Sequence, residues 1–174
     1  ASKTIDESEL STTTSLIQRL PFLENAYQLG LNRLAIRKNP VLEEFKTWIN
    51  KQSDAGNITR QETVSMVPPV LLDVKGDERV LDMCAAPGSK TSQLLEDLFA
   101  SSVGDGGGGC LVANDANVQR AYMLVNQLRR VLFYHPVALF TQVPAQFYPS
   151  VLQFHKILCD VPCTGDGTSR KNID

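Results

Sequence analysis

From Arg79 onward, short apolar runs alternate with amphipathic stretches, and this alternation constrains the fold more than any other feature of the chain. Arg79 to Met83, Cys110 to Asn114, Val137 to Phe140 and Lys156 to Cys159 read as strands. Ser89 to Phe99 and Val118 to Val131 read as helices, the second with Val118, Tyr122, Val125 and Leu128 on one side. Strands separated by helices that return the chain to the same edge are the pattern of a parallel, doubly wound α/β sheet.

Ahead of this region the pattern is looser. Residues 1 to 20 are rich in Ser, Thr and Asp and predict an arm with partial helix, and Tyr27, Leu29 and Leu31 alternate with polar or small residues as in a short extended piece. Pro40 to Ser53 predicts a helix: Asn39 stands as N-cap, Pro40 occupies the first helical position, and Gly56 follows the end. Its stripe of Val41, Leu42, Phe45, Trp48 and Ile49 is expected to pack in a core. The expected division is a partly helical N-terminal extension, residues 1–75, and a catalytic-type domain over 76–174. The run Gly104 to Gly109 predicts a flexible surface loop by its composition, and no phosphate cradle is expected there because no G-x-G-x-x-G directly follows a strand.

Composition limits the partners. With 174 residues, 43% hydrophobic and 21% charged, the chain is neither collagen-like, disordered nor membrane-like. A formal charge of −2 does not advertise a nucleic-acid binder, so RNA contacts would come from local basic groups. The candidates are Arg33 with Arg37 and Lys38, Arg129 with Arg130, and Arg170 with Lys171; solvated surface charge is the alternative for each. Residues 33–38 also fall in the extension, which makes it a candidate RNA-contacting region. Cys84, Cys110, Cys159 and Cys163 show no CxxC spacing, and His135 and His155 supply no paired ligand spacing, so no metal site is expected. The cysteines point to a reduced intracellular compartment, and no apolar run approaches the roughly 20 residues that span a bilayer.

In open parallel sheets, ligands bind beyond the carboxyl ends of strands where strand order reverses. Asp82-Met83-Cys84-Ala85-Ala86-Pro87-Gly88-Ser89-Lys90 occupies that place after the first strand. Ala85, Ala86 and Gly88 let a ligand approach the backbone, and Pro87 fixes the turn. Asp115, after the next strand, is placed to accept hydrogen bonds from both hydroxyls of a ribose.

These strings carry a resemblance. VLDMCAAPGSKTSQLLE, ANDANVQRAYMLVNQLRR, the upstream GNITRQETVSMVPP and the segment Asp160-Val161-Pro162-Cys163-Thr164-Gly165-Asp166-Gly167-Thr168 together resemble the NSUN family of RNA cytosine-5 methyltransferases, and most closely its multisite tRNA-modifying branch. The resemblance implies a Rossmann-like class I methyltransferase fold that uses S-adenosylmethionine. Cys84, Ala85, Ala86, Pro87, Gly88, Ser89 and Lys90 would line the methionine and sulfonium side, with Asp160 also near the cofactor, and Asp115 would hold the ribose.

The same resemblance assigns the chemistry. A thiolate adds at carbon 6 of cytosine so that carbon 5 can attack the methyl group, and loss of the carbon 5 proton then frees the enzyme. Asp160 would be the acid beside N3, Lys90 would contact the base or its surroundings, and Cys163 would assist product release. The nucleophile of the family lies in a later Thr-Cys-Ser motif, which does not occur here, so the chain by itself is expected to be an incomplete and inactive enzyme. Cys159, next to Ile157 and Leu158 in a strand, is expected to be structural.

Two departures leave alternatives open. DNA cytosine methyltransferases use a Pro-Cys cysteine as nucleophile, but Gly165 to Thr168 and Arg170-Lys171-Asn172 match the RNA enzymes. Pro144 stands where the family places an Asp near the adenine amino group, and proline offers no side-chain acceptor. Tight cofactor binding is thereby in question, and a noncatalytic RNA- or partner-binding module derived from the same fold is the second reading. The expected partner is RNA, with tRNA favoured, no membrane and no metal; the family favours a nuclear or nucleolar site, with cytoplasm as the alternative.

Overall fold

The computed structural model describes residues 17–30, 40–102, 108–132, 138–149 and 151–163. The chain divides into two compact units, residues 1–51 and 52–174. In the first, strand β1 (Ile17–Arg19) pairs antiparallel with β2 (Tyr27–Leu29). The Leu20 N–H donates to the Ala26 carbonyl at 2.8 Å and the Arg19 guanidinium to the Glu24 carbonyl at 2.9 Å, closing the hairpin. Where partial helix was expected up to residue 20, the described part is this strand; residues 1–16 lie outside the description.

Helix α1 (Pro40–Asp54) matches the predicted span to within a residue; the expected cap at Asn39 lies outside the described residues. Its apolar stripe is not the buried core seam expected from spacing. Trp48 is 51% exposed and lies nearly parallel to Phe45, ring centroids 6.0 Å apart, so the rings shield each other. Gly56 has φ +82° and follows the helix as predicted, a conformation that glycine adopts without penalty.

Helix α2 (Thr63–Leu72) was not anticipated, and its sequence explains why: Pro68 and Pro69 stand inside it. Each removes a backbone donor from the helix interior, ordinarily a strong breaker. Pro69 is buried, and the helix ends on Asp73 in the left-handed region with its N–H donating to the carbonyls of Pro69 and Val70. The structural division at 51/52 thus precedes the expected boundary at 75/76, because α2 packs on the helix and strand of the second unit and Val74 joins its core.

The second unit contains a four-stranded parallel sheet of β3 (Arg79–Asp82), β4 (Cys110–Asn114), β5 (Ala138–Thr141) and β6 (Lys156–Leu158), in the order β5-β4-β3-β6. The chain steps from β3 outward to β5 and then returns to the other side of β3, so strand order reverses there. This is the predicted doubly wound, Rossmann-like topology. Helix α3 (Ser89–Ser102) joins β3 to β4, and α4 (Val118–Leu132) joins β4 to β5.

Alternation divides the sheet residues. Val80, Leu111, Ala113 and Leu158 join Leu94, Leu95 and Leu98 of α3 and Leu124 and Leu128 of α4 in one core. Each leucine at 0% exposure contributes roughly 1.5–3 kcal/mol by burial. The buried face of α4 follows the predicted stripe only at Leu128, which is 0% exposed: Val118, Tyr122 and Val125 are 48, 69 and 39% exposed, and Leu124, outside that stripe, is 1% exposed. Leu124 and Leu128, four apart on one side of the helix, set the inward stripe among larger outward residues.

Gly109 closes the glycine run differently from the flexible loop expected; residues 103–107 lie outside the description. Its N–H donates to the Gly76 carbonyl at 3.0 Å, and a Cβ there would collide with that oxygen.

Candidate cofactor and catalytic cavity

Strands β3 and β6 are neighbours with Asp82 opposite Leu158, which brings the loop after β3 beside the segment after β6. Between them lies a cavity of about 260 Å³. Cys84, Ala85, Ala86, Pro87, Ser89 and Lys90 line it from the first loop, and Asp160 lines it from the second. Asp82 forms part of the wall, and Arg60, Gln61, Glu62 and Ser65 supply the side at the start of α2.

Lys90 sits in the first turn of α3, where its ammonium meets the Asp160 carboxylate at 2.8 Å. The two residues expected nearest to the base are therefore in contact between the first turn of α3 and the segment after β6. Lys90 is more sheltered than Asp160, with side-chain exposures of 19 and 55%.

Asp82, at the end of β3, is 1% exposed. Burial pushes its carboxyl up from 3.8 to about 6; the hydrogen bond from Thr91, the Lys90 charge and a backbone hydrogen bond at Cys84 oppose this, while Asp160 adds to it. The Thr91 hydroxyl donates to Asp82 Oδ2 at 2.8 Å. Cys84 is half-buried, and burial, with nearby Cys159, Asp115 and Asp82, pushes its thiol up against a smaller opposing effect of Arg120. A thiol held neutral in this way suits a wall position.

Gly88 explains the shape of the loop. Its φ is +111°, and a Cβ there would come within 3.0 Å of Leu124 Cδ1, so the loop turns tightly over α4. Gly88 itself serves the turn and the helix start, accepting from the Ser92 N–H at 2.8 Å and hydroxyl at 2.9 Å.

Asp115 is buried, 5% exposed, and knits this loop to the next. Its Oδ2 accepts from the Ala86 N–H at 3.2 Å and faces Arg120 Nη2 at 3.3 Å, while Oδ1 accepts from the Asn117 N–H at 3.0 Å. Arg120 also donates to the Ala86 carbonyl at 2.6 Å. Asp115 and Gly88 support the cavity from behind and are not among the residues that line it.

Asn114, at the end of β4, was overlooked by sequence reasoning because one asparagine in a strand carries no pattern. It is 0% exposed. Its amide donates to the carbonyls of Met83 and Val143 at 3.0 and 2.8 Å, and its oxygen accepts from the Thr141 hydroxyl and Val143 N–H, both at 2.9 Å. Every polar atom is used, so Asn114 fixes the segments after β3 and β5 against β4.

The cysteines after β6 are both exposed. Cys159 was expected to be a buried strand residue, but β6 ends at Leu158 and the Cys159 sulfur lies 3.8 Å from Met83 Sδ at the mouth of the sheet. Cys163 is the last described residue, and the rest of the Pro-Cys segment lies outside the description. Pro144 begins a 3₁₀ turn (Ala145–Phe147) after β5, its carbonyl accepting from the Phe147 N–H at 2.9 Å. Of the basic candidates, Arg130 is engaged with the Ser53 carbonyl at 3.3 Å and Asp54 at 3.5 Å; residues 33–38, 170 and 171 lie outside the description. Among the described residues no group of three His, Cys, Asp or Glu could hold a metal, and no helix is long and apolar enough to cross a membrane.

Comparison with known proteins gives a consistent family. The family model of the 16S rRNA methyltransferases RsmB/F matches residues 69–174. The chain is 45% identical over 161 residues to a multisite-specific tRNA:(cytosine-C(5))-methyltransferase of Saccharomyces cerevisiae, covering 86% of this chain and 23% of that protein. It is also 45% identical over 169 residues to a tRNA (cytosine(34)-C(5))-methyltransferase of Drosophila melanogaster, covering 89% of this chain and 22% of the other. The chain therefore spans about a quarter of the length of these relatives. Among solved structures, a methyltransferase homologue from Pyrococcus horikoshii matches at TM-score 0.65 and 30% identity, covering 87% of this chain and 44% of that one. NSun6 from Pyrococcus horikoshii, solved with SFG, matches at TM-score 0.56 and 28% identity over 65% of this chain and 27% of that one.

Proposed function

Because the chain belongs to the RsmB/F methyltransferase family, we propose that it forms the cofactor-binding part of an enzyme that methylates carbon 5 of cytosine in RNA, with tRNA as the favoured substrate and S-adenosylmethionine as the methyl donor. The observation that carries this reading is the Lys90–Asp160 pair, which closes over a cavity walled by the Cys84–Ser89 loop. The residues fit such a cofactor: Ala85 and Ala86 line the cavity with little side-chain bulk, and the buried turn at Gly88 holds their loop in place from behind. The SFG seen in the Pyrococcus horikoshii relative is an analogue of S-adenosylmethionine, which supports the choice of donor.

When bound, S-adenosylmethionine supplies an electrophilic methyl group. Asp115, behind the cavity wall, orders the loop that would receive it and would hold the ribose, while Cys84, Ala85, Ala86, Pro87, Ser89, Lys90 and Asp160 would bound the reactive end. On the RNA side, Asp160 would act as the acid at N3, giving its proton there as a cysteine thiolate adds to carbon 6 and recovering it on elimination, with Lys90 positioning the side chain. Carbon 5 would then take the methyl group as the donor's sulfur–methyl bond breaks and the demethylated cofactor is left, the carbon 5 proton would leave to a base, and the bond between carbon 6 and the cysteine sulfur would break to return the thiolate. Cys163 assists that last step. The target base must be unstacked to reach the cavity.

The test is transfer of labelled methyl from S-adenosylmethionine to unmodified tRNA by the full-length protein that contains this chain, with nucleoside analysis of the product. Labelled 5-methylcytosine is expected. Label found only in another nucleoside, or none in RNA, would overturn the proposal.

A further inference from the structure

Gln61 and Gln93 form a relay whose polarity is fixed by a backbone carbonyl. Gln93, on α3 and 8% exposed, donates from Nε2 to the Met66 carbonyl at 3.1 Å. A carbonyl only accepts, so the Gln93 amino group must face Met66 and its own oxygen must face away. That oxygen lies 3.5 Å from Gln61 Nε2, which donates to it. The two amide orientations depend on one another, and neither can be reversed without setting two acceptors or two donors face to face.

Gln61 lines the same cavity as Lys90 and Asp160. With its amino group turned toward Gln93, it has a carbonyl oxygen to present there. We propose that this oxygen is a specificity-determining acceptor, taking a hydrogen bond from the exocyclic amino group of the target base, with Gln93 and Met66 as the relay that holds it. This inference rests on the RNA-cytosine methylation proposed for the cavity and deepens it. Cytosine carries an amino donor at carbon 4 where uracil carries a carbonyl oxygen. An oxygen held in place by Gln93 therefore attracts the first base and repels the second, and the penalty for uracil arises because the amide is prevented from flipping.

The experiment uses the full-length protein, wild type and with Gln61→Ala, Gln61→Met or Gln93→Leu, on two tRNAs that differ only by cytidine or uridine at the target. The readouts are kcat/KM on the cytidine RNA, turnover of the uridine RNA or its inhibition constant where turnover is undetectable, and the Kd for S-adenosylmethionine. Gln61→Ala should lower kcat/KM on cytidine about 10- to 100-fold and shrink the cytidine preference to match, with cofactor Kd within about twofold of wild type. Gln61→Met, which retains the side-chain length, should behave the same way. Gln93→Leu, which leaves Gln61 free to rotate, should weaken preference more than cytidine turnover. An active wild type whose preference is unmoved in both Gln61 variants overturns the inference while leaving the methyltransferase reading intact, as does a loss explained wholly by weaker cofactor binding. A wild type that methylates neither RNA overturns the methyltransferase reading and this one with it.

Discussion

Asp82→Asn should stabilise this chain at neutral and alkaline pH and do little in acid. The Asp82 carboxyl is 1% exposed and is raised from 3.8 to about 6, mainly by burial. That displacement corresponds to about 3 kcal/mol of preference for the neutral form in the folded state. Below pH 4 folded and unfolded chains both hold the proton, so the substitution exchanges one neutral group for another. Between pH 4 and 6 the unfolded chain gives up its proton while the folded chain keeps it, and wild-type stability falls by up to about 1.4 kcal/mol per pH unit. Above pH 6 the loss is complete and levels off. Asparagine does not ionise, so its advantage should grow by about 3 kcal/mol from pH 4 to 8, and an amide without a good acceptor would lower that advantage by about 1 kcal/mol equally at every pH. The amide oxygen can still accept from Thr91. Urea unfolding of both proteins at several pH values measures the difference. A difference that is constant across the range, or that shrinks as pH rises, would refute the assignment of a buried, proton-retaining carboxyl.

Other expectations concern the same loops. Asp115→Ala should weaken S-adenosylmethionine binding by about 1–3 kcal/mol, by calorimetry, because it removes a carboxylate that both orders Ala86 and Asn117 and is proposed to hold the ribose; equal affinities would make Asp115 a turn residue only. Gly88→Ala should destabilise the chain by roughly 1–3 kcal/mol in denaturant unfolding, since φ +111° and the nearby Leu124 both oppose a Cβ. In the full-length protein, Cys163→Ala should accumulate a covalent RNA adduct on denaturing gels, because addition proceeds and elimination stalls. Absence of both adduct and activity would instead assign the nucleophile's part to Cys163.

The strands were legible because buried parallel strands are short, continuous apolar runs, and Cys110–Asn114 was bounded correctly. Helix α2 was hidden by Pro68 and Pro69, whose local preference is overruled by burial of Pro69 and Val74 within the second unit. The face of α4 was misread in part because Tyr122 and Val125 drew the stripe away from Leu124, which with the correctly placed Leu128 marks the seam. Trp48 shows the limit of a helical stripe as a guide to burial: its periodicity is real, yet half the ring faces water. At the site, the strings around Cys84 and Asp160 announced a cavity, and the Lys90–Asp160 contact is a consequence of strand order. Asn114, Thr91, Arg120 and Gln61 act through hydrogen bonds to partners up to 34 residues away, a relation that no local pattern carries.

The ion pair between Lys90 and Asp160 also has a thermodynamic meaning. Its members belong to different segments, the first turn of α3 and the stretch after β6, so a ligand that takes over all of one partner's hydrogen bonding releases the other. A ligand that recruits the ammonium frees the carboxylate for a second ligand. By reciprocity, the second must help the first by the same factor. With one side chain more than half exposed, the pair itself is worth no more than about 1 kcal/mol, which limits this cooperativity to roughly fivefold in either direction. The cavity is thus wired for a modest mutual preference between two occupants, small enough that each can still bind and leave alone.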